Sequence, residues 1–315
     1  MTKYRNRLPQ LDGRLFLTDG GIETTLIFQD GLELPYFAAF HLLRDAAGTA
    51  ALADYFRRHA AIARANGAGF ILESATWRAS ADWGGRLGYS EAALDEANRK
   101  AIDMLHGLRG EFETADSPMV VSGCVGPRGD GYDPGKVMTP GQAQAYHSRQ
   151  IATFAAAGAD MVTAITMTNT PEAIGVTRAA QAAAMPVVIS FTVETDGRLP
   201  TGEPLWDAIA AVDGATGDGP AYFMINCAHP SHFAGQLAEG EAWVGRIRGI
   251  RANASRCSHA ELDQATELDS GDPVELGRLY RELRGRFGQI NVLGGCCGTD
   301  HRHIEQICGH CKLAA

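Results

Sequence analysis

Short, strongly apolar runs, each followed by a stretch of helical periodicity, recur along nearly the whole 315-residue chain. This is the pattern of buried strands alternating with amphipathic helices. Apolar runs at 15–18, 69–74, 119–123, 160–166, 186–193, 221–226, 248–252 and 289–293 predict eight strands. Helix starts are marked between them. Ser90 is placed to cap a segment whose Leu94, Ala97, Ala101, Leu105 and Leu108 share one face, and Thr139-Pro140 and Asp272-Pro273 each set a capping residue before a proline. Eight strand-helix units over 1–315 predict one domain of the α/β class, a (β/α)8 TIM barrel. Active-site groups in that architecture stand at the carboxyl ends of the strands, so motifs there carry the most weight.

Composition narrows the class. With 45% hydrophobic and 21% charged residues, the chain has material for a large core. Length alone would allow two domains, but one barrel fits it as well. The net charge of -9 argues against a nonspecific nucleic-acid binder. No apolar stretch reaches the roughly 18 residues of a bilayer span, and the opening MTKYRNRLPQ has no apolar leader, so a cytoplasmic protein with small-molecule partners and no membrane contact is expected. Homo-oligomer formation is left open. Seven cysteines, an odd count with one adjacent pair, do not read as a secreted disulfide framework and leave metal or thiol chemistry open. Two connections, 128–139 and 255–272, exceed what a barrel requires and read equally as lids or solvated insertions.

Gly294-Gly295-Cys296-Cys297-Gly298-Thr299 follows strand eight, and Asn226-Cys227-Ala228-His229 follows strand six. Any one cysteine alone reads as a buried small hydrophobe. Three at two strand ends of one barrel mouth read instead as a metal site. Adjacent side chains on a strand diverge, so Cys296 and Cys297 converge only if the backbone bends, which the flanking glycines permit. Zinc suits thiolate ligands, and three protein ligands with a fourth position open mark a catalytic site.

The chain resembles the homocysteine S-methyltransferase family over nearly its full length. The resemblance rests on Thr18-Asp19-Gly20-Gly21, Ser122-Gly123-Cys124-Val125-Gly126-Pro127, Ser190-Phe191-Thr192, Asn226-Cys227 and Gly294-Gly295-Cys296-Cys297-Gly298-Thr299. It implies zinc held by Cys227, Cys296 and Cys297, with a thiol acceptor in the fourth position. A free alkyl thiol, with a pKa of about 8.5, is mostly protonated at neutral pH, and zinc coordination deprotonates it. The donor must then carry an activated methyl, of sulfonium or betaine type or on cobalamin, for in-line displacement.

For the acceptor, Gly20 and Gly21 offer backbone N–H groups to an anionic end and Asp19 a partner for an ammonium. Asn226 joins this set. The family commonly places a glutamate after strand four, where this chain has Ile165, and an asparagine where it has Ala75. Glu73, Glu23 or Glu194 are the candidate replacements, and Arg78 adds a cation absent from the usual motif. Trp77, Trp83 and Trp206 are candidates to enclose a cationic methyl donor. The Cys308-Gly309-His310-Cys311 tail is expected to be frayed and dispensable. His301 and His303 read as exposed first-turn residues, and Cys124 and Cys257 as packing. A Schiff-base aldolase is disfavoured because none of Lys3, Lys100, Lys136 and Lys312 ends a core strand. A zinc hydrolase would usually use histidine and carboxylate ligands. A zinc- or thiol-binding protein without turnover remains the non-enzymatic alternative.

Overall fold

In the computed structural model, which describes residues 2–265 and 267–312, eight parallel strands close into a barrel in chain order. They are β1 (Phe16–Leu17), β2 (Gly69–Glu73), β3 (Met119–Val125), β4 (Met161–Met167), β5 (Val187–Thr192), β6 (Tyr222–Asn226), β7 (Ile247–Ala252) and β8 (Val292–Gly295). Around them lie α1 (Ala46–Asn66), α2 (Ala81–Arg86), α3 (Glu91–Phe112), α4 (Pro140–Ala156), α5 (Thr170–Ala182), α6 (Leu205–Thr216), α7 (Pro230–Phe233), α8 (His259–Gln264), α9 (Pro273–Arg286) and α10 (His301–Lys312). The expected (β/α)8 barrel is therefore observed, with caps where the sequence put them. Ser90 Oγ accepts from Ala93 N, Thr139 and Gln142 form a reciprocal capping box, and the Asp272 carboxylate accepts from Val274 N and Glu275 N.

Two units depart from the expectation. The strand expected at 289–293 begins at Val292, because Ile290 N is turned back onto Phe287 O and the Asn291 side chain donates to Gln10 O and Arg14 O. It instead continues to Gly295, paired with Ala252. That shift brings the strand to the edge of the cysteine pair. The unit after β6 carries the one-turn helix α7 and a 3-10 turn at Val244–Arg246, in place of a full-length helix, before β7.

Inward side chains are layered along the barrel axis. Phe16, Ile71, Val120, Met161, Val188, Tyr222, Met224 and Val292 pack with Leu8 as an apolar plug. One step toward the carboxyl ends the same faces carry Glu73, Ser122, Thr163, Ser190, Asn226 and Arg251, all buried. These polar groups bond to one another: Ser122 Oγ lies 2.8 Å from Thr163 Oγ1 and donates to Glu73 Oε1, and Ser190 Oγ donates to Asn226 Oδ1, while Asn226 Nδ2 is left without a partner. The period of two turns each strand into a ladder from plug to polar floor, and the mouth above the floor is left for ligand.

The C-terminal expectation is corrected. Cys308 and Cys311 are fully buried where α10 packs on α9, at an approach close enough that a Cβ on Gly277 would sit 2.9 Å from Gln306 O. Arg284 Nη1 also donates to Cys311 O. Burial pushes the two thiols up to about 11 and about 12, so they serve as core hydrophobes. His303 is likewise buried, against the exposed reading. Its ring lies 3.2 Å from Asp300 Oδ1 and 2.8 Å from Ser270 O, tying the start of α10 to the 255–272 connection. Among the described residues no helix is long and apolar enough to cross a membrane.

Candidate active site

Cys227, Cys296 and Cys297 come together at the barrel mouth with their sulfurs within 4.8 Å of one another. The backbone does what the sequence required of it. Cys227, immediately after β6, sits in the left-handed region at φ 54°, with its N–H donating to Arg251 O. Cys296 N donates to Ala252 O, and the turn after the pair is closed by Thr299 N and Oγ1 donating to Cys296 O. Gly298, at φ 78°, provides the bend, whereas Gly295 is needed for space, since a Cβ there would collide with Thr299 Oγ1. Cys227 and Cys296 are joined in this structure as a disulfide, a pairing the sequence reading did not anticipate. Metal binding requires that pair reduced. Three thiolates about 2.3 Å from one tetrahedral ion lie about 3.8 Å apart, so a set already within 4.8 Å fits zinc with small side-chain adjustment.

The sulfurs line a cavity of about 360 Å³. Its floor is organised by Arg251 on β7, which sequence reasoning missed. Its guanidinium lies 2.8 Å from Asp19 Oδ1 and 2.8 Å from Glu73 Oε2, and donates to Gly20 O and Gly295 O. An arginine alternating with Ile250 on an apolar strand was the available signal. Tyr55 Oη adds contacts of 2.9 Å to Asp19 Oδ2 and Gly20 O. Asp19 and Glu73 therefore line the mouth as counter-ions of a buried arginine, and burial pushes the Glu73 carboxyl up. Gly21 likewise spends its N–H on Thr299.

The remaining expected residues separate by position. Asn226 is fully buried beneath the cavity, accepting from Thr166 N and Ser190 Oγ, and so supports the mouth without lining it. Glu194 lies outside the cavity lining, 3.3 Å from the His259 ring. Ile165 and Ala75 line the cavity as apolar groups. Arg78 also lines it, with its guanidinium stacked between Trp77 at 4.0 Å and Trp83 at 3.6 Å. The faces proposed for a cationic methyl donor are thus taken by this side chain. Trp206 stands away from the cavity, 40% exposed beside Trp243. Exposed Phe28 and Phe37 form part of the outer lining instead.

Both long connections close over the sulfurs. Tyr132, from 128–139, places its hydroxyl 3.1 Å from Cys297 Sγ. Its ring packs on His259, from 255–272, with centroids 4.2 Å apart. His259 Nε2 in turn hydrogen-bonds Cys227 O. The insertions are parts of the site.

A closed parallel barrel with a three-sulfur cluster and a charged, partly lidded cavity at its mouth defines a barrel enzyme built for thiol or metal chemistry. A family model for homocysteine S-methyltransferase matches residues 16–311, so the chain belongs to the homocysteine S-methyltransferase family and is a methyltransferase of that kind. Homocysteine S-methyltransferase 4 of Zea mays is 22% identical over 260 residues, 75% of this chain and 74% of the maize protein. The fold is shared with the homocysteine methyltransferase MmuM of Escherichia coli. Its metallated form superposes with a TM-score of 0.71 at 19% identity, covering 95% of this chain and 97% of that one. Its oxidized form superposes with a TM-score of 0.70 at 19% identity, covering 94% and 95%.

Proposed function

We propose that this protein is a zinc-dependent S-methyltransferase that moves a methyl group from a sulfonium- or betaine-type donor to a thiol such as homocysteine. The observation that carries the reading is the convergence of Cys227, Cys296 and Cys297 on one edge of the partly lidded cavity at the barrel mouth. Reduced, these residues would hold zinc, whose contribution is to keep the acceptor sulfur as a thiolate at neutral pH.

The chain's own residues supply the rest. Arg251 fixes Asp19, just after β1, to Glu73 on β2, so the floor beneath the acceptor is rigid. Tyr132 and His259 cover the sulfurs and restrict water. The all-sulfur ligand set disfavours a zinc hydrolase, because charge accumulated at the metal weakens its Lewis acidity.

The test is metal analysis of reduced protein with a mass-spectrometric screen of thiols against sulfonium and betaine donors. One zinc per chain is expected, lost in Cys227→Ser, Cys296→Ser and Cys297→Ser, together with a methylated thiol. Full zinc retention in all three variants would overturn the metal site, and zinc with bound thiol but no methylated product would favour a non-catalytic binder.

A further inference from the structure

The charges lining the cavity differ in how fully they are already paired. Asp19 and Glu73 are committed to Arg251. Glu23, half-buried on the β1–α1 connection, makes no salt bridge and no side-chain hydrogen bond to another residue among the described residues. Burial pushes its carboxyl up to about 7, from an ordinary value of 4.5. Arg78 is the complement. It is 4% exposed, its Nη1 donates to Gly129 O, its Nη2 reaches Asp130 only at 3.5 Å, and its buried Nε has no hydrogen-bond partner.

Glu23 and Arg78 line the same cavity, yet among the described residues no direct ion pair joins them. Two opposite charges that line one cavity without pairing with each other, Arg78 being held by Asp130 only at 3.5 Å, leave room for a ligand that carries both. An acid and a guanidinium held this way match an ammonium and a carboxylate on one carbon, with the ligand sulfur toward the cysteines. Phe37, Ala75 and Ile165 supply apolar lining for a short methylene chain.

We propose that Glu23 and Arg78 are the specificity-determining residues of the acceptor pocket, Glu23 taking the ammonium and Arg78 the carboxylate of an α-amino-acid thiol. This rests on the thiol-methylation reading and deepens it by naming the residues of this chain that select the acceptor. The arginine's stacking between Trp77 and Trp83 holds the fork in place before ligand arrives, which reduces the entropy lost on binding.

The experiment is calorimetric binding to the reduced, metal-free, full-length protein, so it does not depend on turnover. Three probes are compared: methionine, which is methylated homocysteine, 4-(methylthio)butanoate, which lacks the amino group, and 3-(methylthio)propylamine, which lacks the carboxylate. The wild type is expected to prefer methionine over each by roughly tenfold or more, the usual weight of one charged hydrogen bond. Glu23→Gln should weaken methionine about tenfold and leave 4-(methylthio)butanoate unchanged. Arg78→Gln should weaken both carboxylates and leave 3-(methylthio)propylamine unchanged. Should that variant fold poorly, Arg78→Lys, which keeps the charge but not the planar fork, should show the same pattern to a smaller degree. No binding of any probe to the wild type, equal affinity for all three, or an equal loss for all three in either charge variant overturns the assignment. A parallel methyl-transfer assay separates the two readings: absent transfer with this binding pattern intact rejects the proposed reaction and keeps the pocket assignment.

Discussion

The hydroxyl of Tyr132 and the sulfur of Cys297 lie 3.1 Å apart, although 165 positions separate them in the chain. A loop that the barrel does not need thereby reaches the cysteine cluster proposed to hold the metal. A hydrogen bond to a ligand sulfur withdraws charge from it and fixes its orientation.

Tyr132→Phe is therefore expected to fold normally and to lose about 10- to 100-fold in zinc affinity, measured by competition with a chelator on reduced protein. The ring's packing on His259 survives the change, so the effect isolates the hydroxyl. Unchanged affinity would show that the contact has no influence on the metal.

Arg251 is buried between two carboxylates. Replacing it by methionine strands Asp19 and Glu73 without their counter-ion, which is expected to cost about 3–5 kcal/mol in urea unfolding at pH 7. A triple variant, Arg251→Met with Asp19→Asn and Glu73→Gln, should recover part of that loss, because the stranded charges are gone. A single substitution costing less than about 1 kcal/mol would contradict the counter-ion role.

The pH dependence of ligand binding follows from Glu23. Its carboxyl, raised to about 7, is largely protonated at pH 6 and ionised at pH 8. Affinity for methionine should then rise by up to about tenfold per pH unit below 7 and level off above it, while 4-(methylthio)butanoate shows no such rise. Asp19, Arg251 and Arg78 face the same carboxyl, and of these Arg78, lowered to about 10, stays charged over this range. Glu23→Gln should flatten the methionine profile, and calorimetry from pH 5.5 to 8.5 reads it.

Removal of the tail after Ile307 deletes Cys308 and Cys311 from the α9–α10 contact. A loss of more than about 2 kcal/mol in stability is expected, with zinc stoichiometry unchanged in the protein that remains folded. An unaltered unfolding midpoint would return these residues to the dispensable role their position in the sequence suggested.

By itself the sequence determined the barrel, its eight units, most helix starts and the three cysteines. Each of these is written locally: apolar runs of strand length, a capping residue before proline at Pro140 and Pro273, and glycines around Cys296 and Cys297 that allow the backbone to bend. What it could not determine is which charges are already spent. Asp19, Glu73, Glu23 and Glu194 are alike as letters near strand ends. Arg251 takes the first two, and Glu194 lies outside the cavity lining beside His259, leaving Glu23 as a cavity carboxylate with no partner side chain among the described residues. Cys308 and Cys311 look terminal in sequence and are core in space because Gly277 lets α10 approach α9. Local propensity is set by neighbours along the chain, whereas partner choice, burial and the ionisation that follows from burial are set by residues tens to hundreds of positions away, and only the folded barrel brings those together.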